Sequence, residues 1–149
     1  YQSNVEGEVD ISKDREQKQQ LLSDAIKTFL AQFLLDDKRF DVFDIAVSEH
    51  QADPSWFGFP LTINNKAKFN RTSLLNYYAE LNIGTRLLFA GNILLQPAYF
   101  EKMDTDPAKF PVANIIAENS FWLGCYPGLN TEMLDFVVEV TDEFIRKNN

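Results

Sequence analysis

The chain has few of the residues on which compact active sites are usually built. Its 149 residues include one cysteine, Cys125, and one histidine, His50. One cysteine excludes an internal disulfide, a multi-cysteine metal site and an iron–sulfur cluster. With one histidine, the sequence disfavours zinc sites, serine–histidine–aspartate triads and acid–base pairs of histidines. We therefore predict no catalytic residue and no metal site in this chain.

Positive charge and long apolar runs are also scarce. Fourteen lysine and arginine residues stand against 22 aspartate and glutamate residues, which gives a net charge of −8. Such a surface repels phosphate backbones and anionic membranes, so neither nucleic acid nor a membrane is expected as a partner. No run approaches the about eighteen apolar residues of a membrane-spanning helix, and residues 1–20 lack the hydrophobic core of a secretory signal. A cytoplasmic location is the resulting expectation.

The apolar content is sufficient for one core. Hydrophobic residues make up 45% of the chain, with thirteen phenylalanines among them. A domain of this length buries roughly 68–70% of its unfolded surface. Residues 1–20 mix charges and small side chains without an apolar period, which predicts a mobile acidic leader. Residues 21–149 are expected to form a single domain.

Apolar residues recur every three or four positions in three segments, which predicts amphipathic helices. The first runs over about 21–34. The second begins after Asn70, whose side chain can cap it, and the third is capped by Asn130 or Thr131. Asn82 is expected to end the second helix in a left-handed conformation. A short helix is also expected over 112–118. The buried stripe of the last helix is predicted to comprise Met133, Leu134, Val137, Val140 and Phe144.

Four extended segments rich in aromatic and β-branched residues lie between the helices, over 42–47, 56–63, 83–90 and 121–126. Pro60 in the second predicts an edge position or a bulge, because proline cannot donate a ladder hydrogen bond. The order of elements predicts an α+β fold. We expect a two-layer sandwich, in which a small, mostly antiparallel sheet of three or four strands carries helices on one face.

Arg86 interrupts the apolar run 83–89, where an unpaired charge is costly. In one interpretation its guanidinium binds phosphate or sugar oxygens of a substrate through its forked donors. In the other, it is an edge-strand arginine whose stem covers the core and whose head meets Glu80 or solvent. The residue chemistry alone leaves both open.

A polar loop follows this segment. Asn92, Gln96 and Tyr99 are candidates for binding sugar hydroxyls, with ordinary turn chemistry as the alternative. Phe89, at the end of the third extended segment, either flanks a cofactor ring or belongs to the core.

The remaining aromatic and reactive residues have simpler explanations. Trp56, Phe57, Phe121 and Trp122 are expected in the core. Cys125 is expected to be a buried small hydrophobe, since no base accompanies it. His50 is expected to lie in a solvated loop.

Four stretches together resemble the C-terminal part of a known family. In the same order and at similar spacing, they resemble the CDP-4-keto-6-deoxyglucose-3-dehydrase family, within the DegT/DnrJ/EryC1/StrS group of sugar aminotransferase-like enzymes. The resemblance covers the chain from about Leu21 to its end. The stretches are Asp53-Pro-Ser-Trp-Phe-Gly-Phe-Pro-Leu61, Phe69-Asn-Arg71, Ile83-Gly-Thr-Arg-Leu-Leu-Phe-Ala-Gly-Asn92 and Phe121-Trp-Leu-Gly-Cys-Tyr-Pro-Gly-Leu129.

The resemblance implies the small C-terminal domain of the aspartate aminotransferase fold. It also implies an enzyme of lipopolysaccharide sugar biosynthesis that uses pyridoxamine or pyridoxal phosphate to remove the C3 hydroxyl of a nucleotide-linked 4-keto-6-deoxyhexose. In that family the cofactor lies in a large domain that is absent here, and the related dehydrase carries an iron–sulfur cluster. The resemblance therefore implies an active parent enzyme, while this chain alone holds no cofactor and is inactive.

Two alternatives remain open from the sequence. One is a nucleotide-sugar aminotransferase of the same group; a lysine in the large domain would favour it and a histidine would exclude it. Leu94 lies where related aminotransferases often place a histidine, which weighs against aminotransfer. The other alternative is a free-standing, non-catalytic interaction domain. An apolar face left by the missing partner domain predicts a homo-oligomer.

Overall fold

The computed structural model describes residues 40–46, 50–51, 57–100, 102, 104–126 and 128–149. The predicted leader, the helix predicted over 21–34 and Trp56 lie outside the described residues. The strands are β1 (Phe43–Ile45), β2 (Gly58–Ile63), β3 (Thr85–Leu87) and β4 (Ser120–Gly124). The helices are α1 (Arg71–Glu80), α2 (Pro97–Phe100), α3 (Pro111–Asn119) and α4 (Thr131–Asn148), with 3-10 turns at Ile93–Leu95 and Pro107–Lys109.

The helix ends follow local side-chain chemistry. The Oδ1 atom of Asn70 accepts a hydrogen bond from the backbone N–H of Ser73, and Asn130 caps α4 in the same way through Met133. Each cap satisfies one of the backbone donors left unpaired at a helix N-terminus. Asn82 follows α1 with a φ of 59°, the left-handed conformation that asparagine tolerates. All three predictions are confirmed.

The four described strands form one antiparallel sheet in the order β1-β2-β4-β3. This confirms the predicted small antiparallel sheet of an α+β fold. The prediction that Pro60 lies in an edge strand or at a bulge is wrong, because β2 lies inside the sheet and pairs with β4 in an unbroken register. Proline is tolerated there because β1 pairs only with residues from Leu61 onward, so β1 has already ended beside Pro60. The edge strands of the described sheet are β1 and β3, and β3 carries Arg86.

Residues that alternate along β2 and β4 bury one face of this sheet against α1 and α4. Phe121 is fully buried, as predicted, and its ring lies 6.2 Å from that of Tyr78 on α1. Of the stripe predicted for α4, Met133 is wrongly assigned, since 46% of it is exposed. The cluster that forms this core includes Phe59, Leu61, Leu74, Tyr78, Phe121, Leu123, Leu134, Val140 and Phe144.

A buried hydrogen bond joins α1 to α4 inside this core. The hydroxyl oxygens of Tyr78 and Thr141 lie 2.6 Å apart, and the Thr141 hydroxyl also donates to the carbonyl of Val137 at 2.6 Å. Because a threonine hydroxyl has one hydrogen, Tyr78 must be the donor to Thr141. Burial raises the pKa of Tyr78, which keeps this donor protonated.

We expect Thr141→Val to lower the free energy of unfolding by about 1–3 kcal/mol, because it leaves the buried Tyr78 hydroxyl without an acceptor. Tyr78→Phe should cost only about 1 kcal/mol, since Thr141 keeps its bond to Val137. Urea unfolding of both variants and of the double variant measures the difference. A Tyr78→Phe variant less stable than Thr141→Val would contradict this donor assignment.

Candidate functional site

A cleft of about 640 Å³ opens at the end of the sheet where β2 begins and β4 ends. The turn between α1 and β3 forms one wall, and the first half of α4 forms another. Most of the lining is apolar, with one charged residue, Arg86, among the described residues. The lining includes Phe57, Leu81, Asn82, Thr85, Arg86, Trp122, Cys125, Tyr126, Met133 and Phe136.

Glycines give this cleft its floor. Gly58 and Gly124 face each other across β2 and β4. A Cβ atom on Gly58 would lie 3.1 Å from Cε3 of Trp122, so glycine there lets the indole lie close to the strand. A Cβ on Gly124 would meet nothing within 4 Å, so this position opens onto empty space.

Trp122 forms the centre of an aromatic cluster on the sheet face opposite the core. The rings of Phe57 and Phe89 contact the indole at centroid distances of 5.3 and 5.1 Å, with interplanar angles of 64° and 89°. Yet Phe57 is 74% exposed and Phe89 is 84% exposed. The prediction that Phe57 belongs to the core is therefore wrong, and Trp122, half-buried on the other face, is also not part of that core.

Arg86 lies directly opposite Trp122 in the pairing of β3 with β4. Directly opposed residues point to the same face, so its side chain shares the face of the aromatic cluster. The residue is exposed, and within the described part of the chain no carboxylate lies within salt-bridge distance of its guanidinium. The pairing with Glu80 considered from the sequence is thus not seen among these residues, and the cation faces solvent beside the cleft.

Asn92 begins the polar loop and is 4% exposed. Its Oδ1 accepts from the backbone N–H of Leu94 at 3.0 Å, and its Nδ2 donates to Oδ1 of Asn114 on α3 at 2.6 Å. Asn114 in turn donates to the carbonyl of Pro107. These bonds attach the loop to α3. Sequence reasoning missed Asn114, because nothing near it in the sequence marks a contact with a loop so far along the chain.

The other two polar loop candidates lie nearer the surface. Gln96 donates from Nε2 to the carbonyl of Ala90 at 2.9 Å, which closes the loop on itself. Tyr99 lies on α2 with 44% of its surface exposed. The structure thus brings Arg86 and Phe89 together around Trp122, while the three polar candidates belong to the adjoining loop.

Cys125 lines the cleft and is half-buried, not fully buried as predicted, and this partial burial raises the pKa of its thiol to about 11. The reactive thiolate is therefore scarce at neutral pH.

At pH 8 we expect the folded chain to react with iodoacetamide on the order of a hundredfold more slowly than the same chain unfolded in urea, because the thiolate fraction falls about tenfold per pKa unit. Mass spectrometry of the alkylated protein gives both rates. Equal rates in the two states would contradict a thiol whose pKa is raised in the folded chain.

The donor set of this cleft does not match a pyridoxal cofactor. Holding one requires a lysine or equivalent at the reactive carbon and a carboxylate or arginine toward the pyridine ring. The described lining residues include an arginine, Arg86, but no lysine and no carboxylate, so the group needed at the reactive carbon is lacking among them. The described residues also contain no group of three or more histidine, cysteine, aspartate or glutamate side chains suited to a metal ion.

Residues 15–141 match the model of the DegT/DnrJ/EryC1/StrS aminotransferase family. The chain belongs to this family. Two curated members are similar over most of its length. One is the dTDP-4-dehydro-2,6-dideoxy-D-glucose 3-dehydratase of Saccharopolyspora spinosa, 41% identical over 105 residues, which cover 70% of this chain and 23% of that protein. The other is the lipopolysaccharide biosynthesis protein RfbH of Salmonella typhimurium, 39% identical over 108 residues, which cover 72% and 25%.

The family assignment agrees with the fold. A solved GDP-4-keto-6-deoxymannose-3-dehydratase, with a trapped PLP-glutamate geminal diamine, superimposes with a TM-score of 0.71 at 20% identity. The superposition covers 87% of this chain and 32% of that one. The DegT-family chain thus spans about a quarter of the length of the curated relatives it matches. Among the described residues, no helix has the length and apolar character needed to cross a membrane.

Proposed function

We propose that this DegT-family chain is the C-terminal portion of a nucleotide-linked 4-keto-6-deoxyhexose 3-dehydratase that serves lipopolysaccharide sugar biosynthesis in the cytoplasm. The observation that carries the proposal is the similarity of about 40% to two proteins, one named a sugar-nucleotide 3-dehydratase and one a lipopolysaccharide biosynthesis protein. The chemistry itself belongs to the rest of the parent protein. On this proposal the chain alone is inactive and forms one wall of the active site.

Arg86 is the residue proposed to act on the substrate. Its guanidinium is exposed beside a cleft and lies on a short edge strand that fixes its backbone. A planar guanidinium can hold two oxygens of a phosphate or a sugar at once, which suits a nucleotide-linked hexose. In an acidic chain, such a cation also supplies a local positive field for an anionic substrate.

Two roles are proposed for the polar loop that follows β3. Gln96 and Tyr99 lie near the surface, where their polar groups can reach sugar hydroxyls. Asn92 shapes the loop through its bonds to Leu94 and Asn114, and its contribution to substrate binding is indirect. The role proposed for Phe89 from the sequence is to flank the cofactor ring.

The cofactor, pyridoxamine or pyridoxal phosphate, is proposed to be held by the remainder of the parent protein. Support comes from the solved relative with trapped PLP-glutamate and from the unsuitable donor set of this cleft. With a single cysteine, the chain can supply at most one ligand to an iron–sulfur cluster, so any such cluster would also depend on that remainder.

A nucleotide-sugar aminotransferase is the second candidate, because the matching family model describes aminotransferases. Removing a hydroxyl at C3 and replacing a keto oxygen at C4 are different outcomes on the same sugar. The side chain that distinguishes the two activities, a lysine in an aminotransferase or a histidine in a 3-dehydratase, would lie outside this chain.

Exposed apolar side chains on α2, α3 and the loop before α2 favour association with another protein surface. We propose a homo-oligomer for the parent protein, and no nucleic-acid partner. A free-standing interaction domain would use the same surface. The exposed apolar residues of this surface are Ile93, Tyr99, Phe100, Phe110, Val112 and Ile115.

The test of the proposed function uses the full-length protein that contains this chain. It is incubated with pyridoxamine phosphate and a nucleotide-linked 4-keto-6-deoxyhexose, with an amino donor or a reductant added in parallel, because replacing a hydroxyl by hydrogen consumes two electrons. Mass spectrometry should show loss of the C3 oxygen. Replacement of the C4 oxygen by nitrogen would establish the aminotransferase instead, and no turnover of any such sugar would overturn both.

A further inference from the structure

One side-chain amide, that of Asn114 on α3, connects two separate loops. Its Oδ1 accepts a hydrogen bond from Nδ2 of Asn92 at 2.6 Å, and its Nδ2 donates to the carbonyl of Pro107 at 3.1 Å. The Oδ1 of Asn92 in turn accepts from the backbone N–H of Leu94 at 3.0 Å. The polar loop over 88–96 and the segment over 104–110 therefore meet at this one residue of α3.

The backbone groups at the two ends of this chain of bonds fix the orientation of both amides. The N–H of Leu94 can only donate, so Asn92 must present Oδ1 to Leu94 and Nδ2 to Asn114. The carbonyl of Pro107 can only accept, so Asn114 must present Nδ2 to it and Oδ1 to Asn92. Turning either amide over would place like groups against each other, which is costly because Asn92 is buried. Position 114 must thus supply an acceptor on one side and a donor on the other.

The helix that carries Asn114 is anchored to the core of the domain. Arg71, at the start of α1, donates from Nη1 to the carbonyls of Ala117 and Ser120, where α3 passes into β4. Ala117 lies three residues after Asn114, on the same side of the helix. Gly91 of the loop lies so close to Ala117 that a Cβ atom on the glycine would be 2.5 Å from the alanine Cβ. The loop therefore rests on a face of α3 whose position is set by the sheet.

The other hydrogen bonds of the loop, among the described residues, run within its own segment. The N–H of Gly91 donates to the carbonyl of Leu88, and Nε2 of Gln96 donates to the carbonyl of Ala90. Such bonds shape the loop but do not fix where it lies relative to the sheet. Its position depends on the contact with α3, in which the bond between Asn92 and Asn114 supplies the directional part.

We propose that Asn114 is a positioning residue for substrate binding. By holding Asn92 it fixes the loop, and with it Gln96 and Tyr99, where their polar groups meet the sugar. This inference rests on the proposed function, since it assigns Asn114 a role at that same site. Loss of its bond to Asn92 should weaken substrate binding and leave the chemical step nearly unchanged.

Two variants of nearly the same size as asparagine separate the two bonds of Asn114. Asn114→Leu removes both polar atoms and leaves the buried Nδ2 of Asn92 without an acceptor. Asn114→Asp keeps an acceptor for Asn92 and loses only the donor to Pro107. Thr141→Val, which removes a hydrogen bond between α1 and α4, is the matched control for a loss of stability alone.

The test uses the full-length protein and a 4-keto-6-deoxyhexose linked to CDP, dTDP or GDP. Asn114→Leu should raise KM by about five- to tenfold, as expected for the loss of about one hydrogen bond to the sugar, and change kcat by less than about twofold. Hydrogen exchange in residues 88–96, followed by mass spectrometry, should become faster. Asn114→Asp should keep KM and exchange near those of the unchanged protein. Thr141→Val should lower the melting temperature without raising KM.

Three results would overturn the role of Asn114. An unchanged KM in Asn114→Leu would do so whatever the exchange rates, because the loop would then not bind substrate through this contact. An equal rise of KM in Asn114→Asp would show that the bond to Asn92 is not the one that matters. A similar rise in Thr141→Val would show that KM follows stability alone.

Calorimetric titration with the same three sugar nucleotides separates failure of this role from failure of the proposed function. If the sugar is converted and KM is unchanged in Asn114→Leu, the role is wrong and the function stands. If a sugar nucleotide binds without being converted, and binds about five- to tenfold more weakly to Asn114→Leu, the proposed function is wrong and the role stands. If none of them binds, both are wrong.

Discussion

Replacing Arg86 by lysine in the full-length protein should lower kcat/KM by about ten- to a hundredfold. Lysine keeps the charge and loses the planar fork that holds two oxygens at once. A hydrogen bond to a charged group contributes about 1.5–3 kcal/mol, which corresponds to this loss in transition-state stabilisation. The melting temperature should hardly change, because the lysine stem can cover the same apolar surface and Arg86 is exposed. Steady-state kinetics and thermal unfolding on one sample measure both quantities.

Arg71→Lys is the matched control. The Nη1 atom of Arg71 donates to the carbonyls of Ala117 and Ser120, at 2.7 and 2.9 Å, and so ties the start of α1 to the junction of α3 and β4. The same substitution there should lower the melting temperature and leave kcat/KM of the folded protein nearly unchanged. An Arg86→Lys enzyme with unaltered kcat/KM would remove Arg86 from the proposed site.

Gly91→Ala should lower the free energy of unfolding by about 2–5 kcal/mol. Gly91 has a φ of +59°, and a Cβ atom on it would lie 2.5 Å from Cβ and 2.6 Å from Cα of Ala117. The left-handed backbone costs an alanine about 1–2 kcal/mol, and overpacking against a helix backbone adds a further 1–3 kcal/mol or so. Urea unfolding measures the sum.

Gly84→Ala provides the comparison, since a Cβ atom on Gly84 would meet nothing within 4 Å. It should change stability by less than about 0.5 kcal/mol, as is usual for a surface substitution. If Gly91→Ala were as stable as Gly84→Ala, the loop could not be held as closely against α3 as the structure shows.

Features set by a few neighbouring residues were predictable from the sequence. The caps by Asn70 and Asn130 and the left-handed Asn82 depend on side chains acting on their own backbone, so residue type and position sufficed. The family resemblance added an expectation that no local pattern contains, namely the fold and the chemistry of a larger parent enzyme.

Features set by contacts between distant segments were not predictable. Pro60 was assigned to an edge because the chain order says nothing of β4 entering between β2 and β3. Phe57 was assigned to the core because residue type favours burial, whereas its exposure depends on which face of the sheet Trp122 occupies. The bond between Asn92 and Asn114 is similarly invisible until α3 is placed against the loop.

The strand order β1-β2-β4-β3 has a consequence for how the chain acquires its structure. On the ribosome β3 is made before β4, yet β4 is its partner in the described sheet, and Gly58 in β2 also pairs with Gly124. The nascent chain can therefore pair β1 with β2 early, but β3 cannot join the sheet until residues 121–123 have emerged. Closing so long a loop is entropically costly, and folds dominated by such distant pairings form slowly. The complete sheet thus forms only when the last quarter of the chain is being synthesised. The face that carries Arg86 and Trp122 forms at the same time.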